Sequence, residues 1–443
     1  MSLLTIIQGA TVYAPEYLGK KDIFLAGRQI IAIEDHLAFH GDLPEIHYFN
    51  ASGLMLIPGL IDQHVHMAGG GGEGGFHYRT PEISLSHITT SGVTTAIGVL
   101  GTDRITRSTQ ELLAKANALD HEGITTYIYS GAYQVPTRTI TGMPRNDLVL
   151  IDKVIGIGEI AIADSRSSHP SDQELAELAS EARVGGLLAG KAGVLHLHVG
   201  DDDTHLSIVR SVLAKTELPY SLFVPTHCNR NPGLFEDAKA YYREGGYVDI
   251  TSGIAPNKHD TISIKPSQAI ATFFSDFPNL TKLTMSSDSN GSSPIFNDQG
   301  KLVSMGIGSM HSLFDELRDA IITERIPIET ALSLVTKNVA RVLKLRHKGR
   351  IALGLDADLV LVDDSWMIHH VFAKGRWMVK EGKPIVYGTF ENMPSIPGSP
   401  DANETTSKKT DGENRFMIPP SDHDPDDFAD LDERTRHRRF PCC

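Results

Sequence analysis

The sequence predicts an α/β protein: a TIM-type (β/α)8 barrel joined to a small β-sandwich built from both chain ends, with a disordered C-terminal tail beyond. Three observations carry this. Between Leu54 and Ala340, eight short apolar runs alternate with helical patterns, the signature of βα units around a parallel sheet. Most of those runs stay apolar until their last few positions and then turn polar. The segments on either side, residues 1–57 and 345–390, read as short strands with turn glycines.

In chain order, the first flank contains DIFLAGRQIIAIED, from Asp22 to Asp35. The runs LMLIPGLIDQHVH, TTAIGVLGT, TTYIYSGAY, VIGIGEIAIAD, GVLHLHVGD, YSLFVPTHCN, YVDITSG and KLTMSSD follow. With their helices they occupy about 280 residues, against ~250 for a typical TIM barrel. The clearest helix opens at Ser171, where Glu174 three residues on makes a capping box ahead of LAELASEARVGGLLAG. DADLVLVD, HHVFAKGRWMVKEG and KPIVYG then complete a sandwich with the first flank. From about Asn392 the chain is rich in Pro, Ser, Asn and charge, too polar to offset its ordering entropy. The predicted units are therefore 1–57 with 345–390, 58–344, and a tail over 391–443.

A formal charge of -14 on 443 residues argues against general nucleic-acid binding, which needs a basic surface. Three cysteines, Cys228, Cys442 and Cys443, build no disulfide framework and fit a reducing, cytoplasmic setting. The start MSLLTIIQGATVYAPEYLGKKD lacks a basic n-region and long apolar h-region, and no run approaches the ~20 residues of a membrane span. The terminal Cys-Cys looks like a prenylation signal, but no GTPase motif accompanies it.

The polar residues that end the runs carry the chemistry. They are His64 and His66, Thr102, Tyr133, Glu159, His198, His227 and Asp288. The C-terminal rim of a TIM barrel is where active sites form, so these scattered positions are expected to converge. His64 and His66 alternate on a strand and project from one face, as two ligands to one metal should. Glu159 stands alone in an apolar strand, where an ionised carboxylate costs several kcal/mol unless paired or metal-bound. Four imidazoles and two carboxylates near one rim are N/O ligands suited to zinc or a similar divalent ion. The alternative for Glu159 is a buried ion pair with an arginine such as Arg166.

This pattern resembles the amidohydrolase superfamily from the start of the chain to about residue 390, through PGLIDQHVH and GRIALGLDADLVLVD. DQHVHMAGGGGEGG, GVLGTD, SGAYQVPTRT, IAIADSRS, HVGD, PTHCNRN and SSDSNGS narrow the resemblance to the isoaspartyl (β-aspartyl) dipeptidases. The resemblance implies two zinc ions per subunit, with His64, His66 and Asp288 on one and His198 and His227 on the other. The carboxylate between them is a carboxylated lysine in many relatives. Here Glu159, seven residues before Arg166, occupies that place. A bridging water activated by the two ions would attack the substrate carbonyl, Asp288 would carry its proton to the leaving amine, and Tyr133 would donate to the oxyanion. A plainer reading is that Tyr133 only caps the barrel mouth.

An isoaspartyl dipeptide presents an ammonium and two carboxylates. Glu73, in the glycine-rich loop GGGGEGG, is expected to take the ammonium, and Arg166 and Arg230 the carboxylates. Thr102 and Ser292 resemble further substrate contacts. Those glycines are not a nucleotide loop, because no G-K-[ST] follows them. The expected function is hydrolysis of β-aspartyl dipeptides to aspartate and an amino acid, by a homo-oligomer with no nucleic-acid or membrane partner. The rivals are an amidohydrolase acting on cyclic amides or N-acyl amino acids, and a non-catalytic scaffold relative.

Overall fold

The computed structural model describes residues 4–38, 46–256, 262–296 and 302–391. Except for Glu391, the predicted tail and its terminal cysteines lie outside the described residues.

Each of the eight runs contains a barrel strand. These are β1 (Leu60–Val65), β2 (Val93–Gly98), β3 (Thr125–Ser130), β4 (Val154–Ile162), β5 (Val194–Val199), β6 (Phe223–Thr226), β7 (Val248–Thr251) and β8 (Leu283–Ser286). Strands β1 to β6 pair in sequence order as one parallel sheet, and β7 pairs in parallel with β8. The Cys228 amide donates to the Asp249 carbonyl (3.2 Å) across the gap between those sheets. A bridge from Val65 to Ser289 joins the far side back to β1. Every residue of these strands is buried except Tyr127, which explains why they read as nearly continuous apolar runs rather than alternating ones.

Helices follow the strands, and their starts are written in the sequence. Three open on a proline, at Pro144, Pro232 and Pro266, where a missing N–H loses no helical bond. The helix Asp172–Ala189 has the capping box read from Ser171 and Glu174 and ends on Gly190 in the left-handed conformation. It buries Leu175, Leu178, Ala179 and Ala182, and each leucine contributes about 1.5–3 kcal/mol. Near the starts of their strands, Ile61, Ile155, Val194 and Val224 pack, together with Ile97 and Tyr129, against the end of the helix Lys337–Val342. That apolar plug leaves the opposite rim for chemistry.

The two chain ends form a nine-stranded mixed sheet. Leu4–Tyr13 pairs with Tyr17–Ala26 and, in parallel, with Met55–Pro58, which in turn pairs with Leu359–Val362. Its own core gathers Ile7, Val12, Ile23, Leu25, Leu56, Leu359 and Phe372. The run LMLIPGLIDQHVH is thus two strands: Met55–Pro58 belongs to this sheet and Leu60–Val65 to the barrel. Gly59 makes the switch. A Cβ there would lie 2.2 Å from Oγ1 of Thr94, so the residue between the sheets has to be glycine.

Candidate active site

The strand ends bring the predicted residues together. His64, His66, Glu159, His198, His227 and Asp288 are all buried at the C-terminal rim. Nε2 of His64 lies 3.4 Å from Oε1 of Glu159 and 3.3 Å from Oδ1 of Asp288, and Nε2 of His66 lies 3.0 Å from the same Asp288 oxygen. The other oxygen of Glu159, Oε2, faces Nδ1 of His198 at 3.2 Å and Nε2 of His227 at 3.7 Å. One carboxylate therefore divides its two oxygens between two groups of imidazoles. The ion partners of Glu159 are the histidines, whereas Arg166 pairs with Asp164 and Glu73.

The donor set suits a divalent cation. Tetrahedral ligands at about 2.05 Å from a zinc ion stand about 3.3 Å apart, close to the separations within the cluster. Among the described residues, Nε2 of His64, Nε2 of His227 and Oε1 of Glu159 are buried without a hydrogen-bond partner. Among the described residues two triads place their ligand atoms within 4.8 Å of one another: His64, His66, Asp288 and His64, Glu159, His227. His198 lies outside both. Its Nε2 is held by Asp164 (2.9 Å), and its Nδ1 sits 2.9 Å from the Tyr133 hydroxyl.

Burial opposes ionisation of Glu159 and Asp288, but the facing imidazoles outweigh it and hold both carboxyls well below the ordinary range. Conversely, burial would depress His64, yet Glu159 and Asp288 pull it well above the usual imidazole value. Two carboxylates thus demand positive charge between them. Burial, then the neighbouring His198, pushes His227 down to about 3, which keeps that ring neutral as a ligand must be.

Supporting contacts aim these rings. Nδ1 of His64 meets Nε2 of His196 (2.8 Å), and Nδ1 of His227 meets the Thr251 hydroxyl (2.9 Å), so the Nε2 of each turns to the carboxylates. His227 and Asp288 occupy left-handed backbone, with φ of 63° and 57°. Non-glycine residues adopt that conformation at a cost of order 1–3 kcal/mol and concentrate in it at functional sites. Below the cluster, Asp249 accepts from Gln63 (2.6 Å), Thr284 (2.6 Å) and Thr226 (2.7 Å), a polar layer inside the barrel.

Residues 55–378 match the amidohydrolase family. The chain belongs to that family. The amidohydrolase resembles the crystal structure of a β-aspartyl dipeptidase from Fervidobacterium islandicum AW-1 in complex with the β-Asp-Leu dipeptide, at 42% identity and a TM-score of 0.79, covering 86% of this chain and 98% of that one. Among curated relatives, an adenine deaminase from Halalkalibacterium halodurans is 24% identical over 382 residues, 82% of this chain; the amidohydrolase spans 55% of that relative's length. An allantoinase from Deinococcus radiodurans is 22% identical over 403 residues, covering 82% of this chain and 87% of the relative. The family and the resemblance read from the motifs are thereby borne out.

Around the cluster, Tyr133 is fully buried with its hydroxyl on His198. Glu73 lies 3.6 Å from Nη1 of Arg166, whose Cζ sits 5.5 Å over the Tyr133 ring. Thr102 follows Gly101, which packs against the His66 ring, and Ser292 lies against Gly71 of the glycine-rich loop. Arg230 is 2% exposed, and among the described residues none of its three guanidinium nitrogens has a hydrogen-bond partner. Among the described residues its ion partner is Asp201, 3.8 Å away. The sequence reading missed Asp164, Asp201 and His196. His196 had a signal, because it alternates with His198 on β5 just as His64 does with His66 on β1.

Proposed function

We propose that the protein is a zinc-dependent dipeptidase that hydrolyses β-aspartyl dipeptides. The observation that carries this is Arg230. A buried guanidinium with no hydrogen bond among the described residues is costly, and it is satisfied by a ligand carboxylate that fits its planar fork. With Arg166 it gives two cations, and with Glu73 one anion, the charge pattern of an isoaspartyl dipeptide. A cyclic amide offers no free ammonium and fewer carboxylates. The Fervidobacterium islandicum protein, in complex with β-Asp-Leu, supports the same substrate class.

His64, His66 and Asp288 would hold one ion and His198 and His227 the other, with Glu159 between them. Two such ions supply a Lewis-acid pair that acidifies a water and polarises a carbonyl. Asp288 faces His64 and His66 through Oδ1, and it takes the proton of the attacking water and passes it to the leaving amine. The Tyr133 hydroxyl, beside Nδ1 of His198, donates to the oxygen that becomes anionic. Arg230 and Arg166 hold the carboxylates and Glu73 the ammonium, so the scissile amide is presented at one depth.

Steady-state hydrolysis of β-Asp-Leu beside α-Asp-Leu by zinc-loaded protein tests this, with Glu159→Ala as control. Cleavage confined to the β-linked peptide and lost in the variant is the expected result. Cleavage of dihydropyrimidines or N-acyl amino acids with neither dipeptide cut would overturn the substrate assignment while leaving a hydrolase.

A further inference from the structure

Asp164 touches two of the predicted site residues at once. It follows the end of β4 by two residues, after Ala163 turns the chain through the left-handed region at φ 50°. Gly200, just past β5, allows this turn to close on its neighbour. A Cβ at position 200 would lie 2.4 Å from the Ala163 carbonyl oxygen and 2.5 Å from Cβ of Asp164. The turn puts a 5%-exposed carboxylate against the histidine that β5 delivers. Oδ2 of Asp164 lies 2.9 Å from Nε2 of His198 and accepts from Nη2 of Arg166 at 2.6 Å. Oδ1 accepts from Nε of Arg166 at 2.9 Å and from its backbone N–H at 2.8 Å.

We propose that Asp164 is a positioning residue that fixes both the metal-facing nitrogen of His198 and the edge of Arg166 turned to substrate. The substrate half of this rests on the dipeptidase reading above. A neutral imidazole donates from one nitrogen and accepts at the other. A carboxylate at Nε2 keeps the proton there, so the lone pair is on Nδ1, the atom that faces Glu159 at 3.2 Å. The guanidinium is a rigid fork, and Asp164 takes its Nε/Nη2 edge, directing Nη1 toward Glu73 at 3.6 Å. One carboxylate thereby ties a metal ligand to a substrate ligand. Its loss must register in both metal affinity and substrate binding, whereas two separate supports would register one at a time.

The full-length Asp164→Asn variant tests this against wild type and Arg166→Lys. Zinc affinity is read by competition with a chromophoric chelator, KM and kcat with β-Asp-Leu at saturating zinc, and folding by circular dichroism. The Asn variant is expected to bind one of two zinc ions about 10–100-fold more weakly. Its KM is expected to rise roughly tenfold, with kcat changed less. Arg166→Lys is expected to raise KM and leave zinc affinity at the wild-type level. Wild-type zinc affinity or wild-type KM in the folded Asn variant overturns the proposal. If that variant does not fold, histidine-selective 15N spectra of metal-free wild type and Asp164→Glu decide: a proton on Nε2 of His198 supports the assignment, and one on Nδ1 overturns it. Wild type that binds zinc but leaves β-Asp-Leu uncut removes the substrate half and the dipeptidase reading, while the zinc and 15N results still judge the histidine half.

Discussion

Replacing Arg230 with methionine should move function and stability in opposite directions. The residue is 2% exposed, and among the described residues Nε, Nη1 and Nη2 all lack hydrogen-bond partners, so its charge is met only at a distance, by Asp201 at 3.8 Å and, further off, by Asp164. A bound carboxylate would gain two charge-assisted hydrogen bonds, each contributing about 1.5–3 kcal/mol. Losing both removes about 3–6 kcal/mol of substrate binding, and at 1.4 kcal/mol per decade kcat/KM falls roughly a hundred- to ten-thousand-fold. Methionine has similar length and no charge to desolvate. Exchanging a poorly paired buried cation for it should stabilise the ligand-free fold by about 1–3 kcal/mol, and Asp201, with its side chain 26% exposed, stays hydrated. The assays are kcat/KM for β-Asp-Leu and the urea midpoint of ligand-free protein. A lower midpoint with unchanged kcat/KM would show that Arg230 is structural and refute the argument.

Because Glu159 needs no carboxylation, apo-protein reconstituted with zinc in carbon-dioxide-free buffer should recover full activity, and added bicarbonate should change nothing; a bicarbonate-dependent recovery sinks the bridging role. Tyr133→Phe is expected to lower kcat by roughly 10²–10³-fold with KM little changed, since an oxyanion donor acts in the transition state; a pure KM effect would make Tyr133 a wall of the pocket. Lys348, 7% exposed, bridges Asp356 (2.8 Å) and Asp358 and bonds Thr125 (2.6 Å). Lys348→Met leaves Asp358 without this cation and Asp356 with Arg28 alone, and should destabilise by about 3–5 kcal/mol, with activity per folded molecule retained; an unmoved urea midpoint speaks against it. Burial acts to raise the Asp356 carboxyl, but Lys348 and Arg28 hold it below the ordinary value, so its contribution is fully present above pH ~4 and is lost as pH falls through the lowered value. The variant should accordingly lose stability less steeply than wild type in acid.

The barrel was legible because its strands are buried on both faces, which makes them apolar runs, and because function at the rim makes each run end in polar residues. The position of Glu159 was legible for the same reason. Asp249 posed the identical question, a carboxylate inside an apolar run, yet its partners are hydroxyls and an amide from three other strands, which no local pattern reveals. Asp164 escaped notice because it lies past the strand end, where a carboxylate reads as an ordinary loop residue; only the close approach of Gly200 turns it inward. Gly59 escaped because one run of apolar residues serves two sheets, and a switch of partner leaves no break in hydrophobicity.

That shared run bears on how the chain is made. Leu4–Tyr13 pairs with the next strand in the chain, Tyr17–Ala26, but Ile57 pairs with Val360, which emerges only after the whole barrel has been synthesised. Until then Met55–Pro58 presents an open edge to any competing strand, held in place by a barrel that is itself still incomplete. The last strands therefore act as a lock on the first. A chain halted before Leu359 lacks the strands that close this edge, even though every predicted residue of the active site is already present.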